Sequence, residues 1–227
     1  MKFNATLLAA AAAAVLAVAA PAVATANTQV TLDFEAATSF ASVADLYAAQ
    51  GISFGEAALA LANDGTGTGV DGAFFTNAPT PGSSNPLAGT VMFVDAVTGS
   101  AVMNLTAGAT HGFTGFTDKV SFDYASTVDA FNLVQVYAGL NGSGQRLAKI
   151  SLSENQIDSA CTSSSFCHWQ TVSMSFSGTA QSLVFASNGG NIVYDNISIS
   201  AVPEPETYVL LAAGLLAVGF VARRRRV

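Results

Sequence analysis

From Gln29 to Glu35 apolar and polar side chains alternate, putting Val30, Leu32 and Phe34 on one face as a half-buried strand would. Ser42-Val-Ala-Asp45 has the form of a capping box, predicting a short helix through Leu46 and Tyr47 that Gly51 closes. Ile52–Phe54 follows as a short strand. Further strand-like runs occupy Thr90–Val94, Val102–Leu105, Lys119–Tyr124, Phe131–Ala138, Arg146–Leu152, Gln170–Phe176, Ser182–Ala186 and Ile192–Ile199. Turn-forming residues separate them, as in Asn141-Gly-Ser-Gly144 between two strong strands. No helix of core length is predicted between them. Many short strands at this spacing predict an all-β body, an antiparallel β-sandwich of jelly-roll type.

The two ends follow a different pattern. Lys2 precedes an unbroken apolar run from Leu7 to Val18, and small residues then lead to Ala22-Val-Ala24 and Ala24-Thr-Ala26. That order of charge, apolar run and small-x-small site is a secretory signal peptide. Cleavage is expected after Ala26, with Ala24 as the alternative. At the other end Tyr208 to Ala222 carries no charge, and four arginines, Arg223, Arg224, Arg225 and Arg226, follow. Fifteen residues make about 23 Å of helix, short of a hydrocarbon core of about 30 Å. Tyr208 at one interface and snorkelling arginines at the other make up the difference. The arginines hold that end in the cytoplasm, with the body outside. The expected organisation is a signal peptide over 1–26, a sandwich over 27–201 and an anchoring segment with a transmembrane helix over 202–227.

Charge narrows the partners of the body. Of fifteen acidic residues only Glu204 and Glu206 lie beyond Ala201, while Lys119, Arg146 and Lys149 are the only basic residues between Asn27 and Ala201. A segment with thirteen acids and three bases repels nucleic acid and anionic lipid surfaces. Cations and neutral glycans remain compatible with it.

Pro203-Glu204-Pro205, a short apolar helix, an arginine cluster and the chain end stand in that order. The arrangement resembles the PEP-CTERM sorting signal of Gram-negative bacteria over Val202 to Val227. Members commonly carry Ser, Thr or Ala directly after the motif, whereas Glu206 intervenes here before Thr207. The resemblance implies export through the Sec machinery and processing near the motif by an exosortase, a membrane peptidase. It also implies release to the cell surface or into a biofilm matrix of exopolysaccharide. Leu46–Gly55, Val136–Gly144, Phe176–Ala180 and Val193–Ile197 are similar to segments of other PEP-CTERM ectodomains, which supports fold and context but names no reaction.

Several residue sets could carry chemistry. Cys161 and Cys167 are the only cysteines, and two cysteines at close spacing in an exported chain read as a disulfide. The alternative is a metal site with His168, which lacks a fourth ligand nearby. Gly67-x-Gly69-x-x-Gly72 is followed by Ala73–Pro79 rather than by a helix, which argues against a dinucleotide site. Asp64 and Asp71 decorate the same loop. Neither His111 nor His168 stands in a hydrolase motif, and no catalytic residue is assigned. A secreted hydrolase acting on polysaccharide stays open as the alternative function, since any two carboxylates facing one cleft would serve.

Trp169, the only tryptophan, could stack on a sugar ring together with Tyr137, Tyr124 or Tyr47, or could pack on the cysteine bridge in the core. Asp33 and Glu35 lie in the first strand of the body and Asp195-Asn196 in the last. Sugar-binding jelly rolls carry a structural calcium where such strands meet, and this pattern looks similar. Carboxylates and carbonyls suit a hard cation; ordinary solvent-facing acids on alternate positions would give the same sequence.

Overall fold

The computed structural model describes residues 26–63, 74–83, 85, 87–97, 99–106, 112–156, 164–204, 214, 215 and 218. Among them eleven strands form two antiparallel sheets. One sheet holds β3 (Ala58–Ala62), β4 (Thr90–Val94), β11 (Ile192–Pro203), β6 (Phe113–Ser126) and β9 (Gln170–Ala180) in that order, with β1 (Thr28–Leu32) also paired to β11. The other runs β2 (Ile52–Phe54), β5 (Ala101–Leu105), β10 (Ser182–Phe185), β7 (Ala130–Tyr137) and β8 (Arg146–Leu152). From β4 to β11 nearly every connection carries the chain to the opposite sheet, and only β7–β8 stays within one.

The main core lies between the sheets. Phe122, Phe185 and Tyr194 meet there edge-on, with ring centroids 4.9 to 6.2 Å apart. Leu32, Phe34, Ile52, Met103, Val134 and Ile199 are fully buried around them. A second apolar cluster of Leu61, Phe75, Val91, Ala125, Phe166 and Val193 lies on the outer side of the six-stranded sheet. Two segments beside it, joined by a bridge between Phe75 and Phe166, keep those side chains dry. This explains why neither Val193-Tyr194 nor Tyr124-Ala125 shows a polar position: both sides of the sheet are covered there.

The sequence reading differs from the structure in four places. The first strand, expected to run to Glu35, ends at Leu32, so Asp33 and Glu35 lie beyond it. The expected helix after Ser42 is a set of turns ending in a single 3₁₀ turn, Ala48–Gln50. Ser42 Oγ accepts the Ala44 N–H at 3.2 Å, which makes a local turn rather than a capping box. Gly51 does close the turn, at φ 77°. β3 was not expected at all, because Ala-Leu-Ala-Leu-Ala carries no β-branched residue. β6, β9 and β11 run longer than expected, and β11 passes the boundary at Ala201 to end on Pro203.

Gly115 is required where β6 meets β9. Its φ is 154°, and a Cβ would fall on the Ala180 carbonyl oxygen and the Thr179 methyl group. The obstacle is backbone, which cannot rotate away. Gly115→Ala is therefore expected to lower stability by about 1–3 kcal/mol, measured as a fall in Tm of the body relative to wild type.

Candidate functional site

β11 has one edge filled by β6 and the other shared by two strands. β4 pairs with it at Val193 and Tyr194, and β1 pairs with it from Ile197 to Ala201. Asp195 and Asn196 occupy the gap between them. The chain bulges there: Asp195 pairs with Asp123 and the next register position is Ser198 with Ser121. Asn196 sits at φ 49°, a conformation that Asn tolerates better than most residues. The extra residue changes the phase of the strand. Ile192 and Tyr194 face the main core before it, and Ile197, Ile199 and Ala201 face that core after it. By alternation Asp195 therefore shares the outer side with Val193.

The same gap collects the ends of neighbouring segments. β1 ends at Leu32 opposite Ile197, so Asp33 follows directly beside the bulge. Glu35 reaches back to β4, where its Oε1 accepts the Thr90 N–H at 3.3 Å. Asn196 Nδ2 donates to the Pro79 carbonyl at 2.8 Å and to Asp123 Oδ2 at 3.0 Å. The Tyr47 hydroxyl accepts the Phe34 N–H at 2.7 Å and lies 3.5 Å from Asp33 Oδ1.

Asp195 is the central group. Its side chain has no exposure at all. Oδ1 accepts the Asn196 N–H at 2.7 Å, while buried Oδ2 has no hydrogen-bond partner. Burial first, and then the charges of Glu35, Asp123 and Asp33, push its pKa up to about 8. Glu35 is also raised, chiefly by burial and then by Asp33. The structure thus brings Asp33, Glu35 and Asp195 together and adds Asp123, directly across the strand pair. In the sequence Asp123 looks like one more polar position in an alternating strand; only the β6–β11 register places it here.

Like charges directly opposite one another in a sheet repel. Protons or a cation would relieve them, and oxygen ligands of this kind suit a hard cation. Among the described residues no three acidic or thiol or imidazole groups stand close enough to form a complete metal site.

The other expected site residues are dispersed. Trp169 is half-buried against the second cluster, edge-on to Phe75 at 6.2 Å, with Nε1 donating to the Thr76 carbonyl at 2.9 Å. Tyr137 lies in the opposite sheet, its hydroxyl donating to Gln135 Oε1 at 2.9 Å. The two rings are not brought together, and Tyr47 and Tyr124 are buried. Cys167 donates its backbone N–H to Gln156 Oε1 at 2.7 Å, and no free cysteine occurs among the described residues. Cys161, His111, Asp64, Asp71, Pro205, Arg223, Arg224, Arg225, Arg226 and the signal peptide up to residue 25 lie outside the described residues. Of the expected membrane helix only Gly214, Leu215 and Val218 are described; they are helical and exposed. No helix among the described residues is long and apolar enough to cross a membrane. Pro203 and Glu204 are described, at the end of β11.

Residues 201–226 match the PEP-CTERM protein-sorting motif. No curated protein matches the chain. Among solved structures the chain is similar to the K2 cleaved adhesin domain of Lys-gingipain, at 14% identity and TM-score 0.44, over 76% of this chain and 99% of that one. The K1 domain of Lys-gingipain from Porphyromonas gingivalis W83 matches at 11% identity and TM-score 0.39, over 77% and 98%. A family 6 carbohydrate-binding module matches at 19% identity and TM-score 0.33, over 56% and 86%.

The Asp195 pKa gives a pH dependence of definite sign. Between its ordinary value of 3.8 and about 8 the folded chain keeps a proton that the unfolded chain releases. Stability is thus highest below that window and is lost as pH rises through it. In chelator the Tm of the body is expected to fall from pH 5 to pH 8, with this group contributing at most about 1.4 kcal/mol per pH unit. Asp195→Asn is expected to flatten the slope, measured by thermal melts across that range.

Proposed function

From a chain that carries the PEP-CTERM protein-sorting motif at its C-terminus, we propose an exported surface or matrix protein whose body contacts extracellular polysaccharide and has no reaction of its own. The observation that carries this reading is the sorting motif joined directly to the last strand of a β-sandwich. An exosortase-type membrane peptidase is the processing partner, and Sec export precedes it. Cys161 and Cys167 are proposed to pair in the oxidising compartment that the chain enters.

Polysaccharide contact is supported by chemistry rather than by likeness. A body this acidic suits neutral chains better than anionic ones. Phe40 is 52% exposed beside Phe74 and Phe93, with centroids 5.8 and 6.3 Å away. Such rings can take the apolar face of a sugar. Trp169 is tied to Thr76 and Phe75, which favours Phe40 and its neighbours as the contact. A hydrolase would need its raised carboxyl group open to substrate, but Asp195 has no exposure.

The gap at Asp195 is proposed to take up a structural Ca²⁺ that would draw Asp33, Glu35 and Asp195 in from the wider spacing they have in its absence, with Asp123 beside them. The buried, unpartnered Oδ2 of Asp195 supports it. An ion there would tie β1 to β11 and replace the proton that Asp195 otherwise keeps.

Two measurements test these readings. Protein recovered from the surface of its native host is expected to lack everything after about Pro205 by intact mass, and retention of Arg226 on the released form would reject processing. Millimolar calcium against chelator is expected to raise the wild-type Tm at pH 8 by several degrees, for a site with Kd of roughly 10⁻⁴ M occupied in 1–10 mM ion, which corresponds to about 1.4–2.7 kcal/mol. Asp195→Ala should abolish the shift. A wild-type midpoint that stays fixed removes the calcium site.

A further inference from the structure

The sorting motif does not begin on a free linker. Val202 pairs with Gly115 and Pro203 with Phe113, so the first residue of Pro203-Glu204-Pro205 lies within β11. Glu204 continues the pairing by donating its backbone N–H to the Gly112 carbonyl at 3.0 Å. Thr114 Oγ1 donates to the Val202 carbonyl at 3.3 Å. The Glu204 carboxyl group lies over the Gly112 α-carbon. A Cβ on Gly112 would meet Glu204 Cδ at 2.6 Å and its two oxygens at 2.8 and 2.9 Å. The absence of a side chain at Gly112 is what leaves room for it.

This hold is one-sided. On its other edge β11 loses its partner after Ala201, which pairs with Thr28. Val202 to Glu204 can thus be peeled from the start of β6 without disturbing β1 or the core. Peptide segments recognised in extended form offer backbone N–H and C=O groups to their receptor. Groups already engaged in a sheet cannot be offered twice.

We propose that the start of β6, Gly112 to Thr114, is a holding site for the sorting motif, and that Val202–Glu204 must leave it before the sorting peptidase can act. The inference rests on the reading of the chain as a substrate of that peptidase. In a folded body the motif is held; in an unfolded one it is free. The rate of processing then depends on an opening step written into the substrate itself.

The test follows loss of the C-terminal tail over time from the full chain in its native host. Two variants are compared with wild type. Gly112→Ala places a methyl group where the Glu204 carboxyl lies, and that flexible side chain can move aside without disturbing the strand. A Gly-Ser-Gly-Ser insertion between Val202 and Pro203 carries the motif off the sheet. The insertion is expected to be processed about fivefold faster, the factor that one net hydrogen bond of about 1 kcal/mol represents, and Gly112→Ala, which keeps the backbone bond from Glu204 to Gly112, at the wild-type rate. An insertion processed no faster than wild type overturns the proposal, and so does a Gly112→Ala chain processed as fast as the insertion. Failure of the underlying reading looks different: wild type and both variants would all retain Arg226.

Discussion

The fold depends on one strand being shared. β11 pairs with β6 along one edge and divides the other between β4 and β1, so it holds three neighbours in register at once. Two strands can meet on one edge only if the shared strand tolerates an interruption between them. The bulge at Asp195-Asn196 is that interruption, and it also changes which residues of β11 face the core. The acidic gap is a by-product of this geometry. Where two strands end against a third, backbone groups and side chains converge from several segments, and here those side chains are carboxylates.

Much of this was legible in alternation alone. Leu32 and Phe34 are fully buried as their spacing implies, and the limits of β4 and β8 coincide with the apolar runs that mark them. β3 was hidden because alanine and leucine suit helices as well as strands, and pairing with β4 decides the matter. The nearness of Asp33, Glu35 and Asp195 could be expected from first and last strands meeting. Asp123 could not, because cross-strand partners follow from register, and the bulge that sets the register leaves no mark beyond an asparagine. Trp169 and Tyr137 illustrate the opposite error. Both are aromatic and near strand ends, yet Tyr137 ends β7 in one sheet and Trp169 precedes β9 of the other, and no local pattern reports which sheet a strand joins.

Electrostatics and packing pull in opposite directions at the gap. A fully buried carboxyl group with one unpartnered oxygen costs stability when ionised, and Glu35, Asp33 and Asp123 add to that cost. An aspartate there weakens the fold it belongs to unless a proton or a cation is also held. The outer apolar cluster adds packing on the same side of the sheet, where Phe75, Phe166 and Trp169 meet. The Pro79 carbonyl, bonded to Asn196, fixes the chain that follows this cluster over the bulge.

The pairing of Thr28 with Ala201 and of Leu32 with Ile197 also sets the order of assembly. These contacts join residues about as far apart in sequence as the body allows, so their loop-closure cost comes late in folding. The sandwich cannot close while its last strand is still to be made or exported. The sorting motif begins on that strand and follows it directly. Completion of the fold and arrival of the sorting signal are therefore neighbouring events along the chain, and the outermost residues of the body spend the whole of synthesis waiting for their partners.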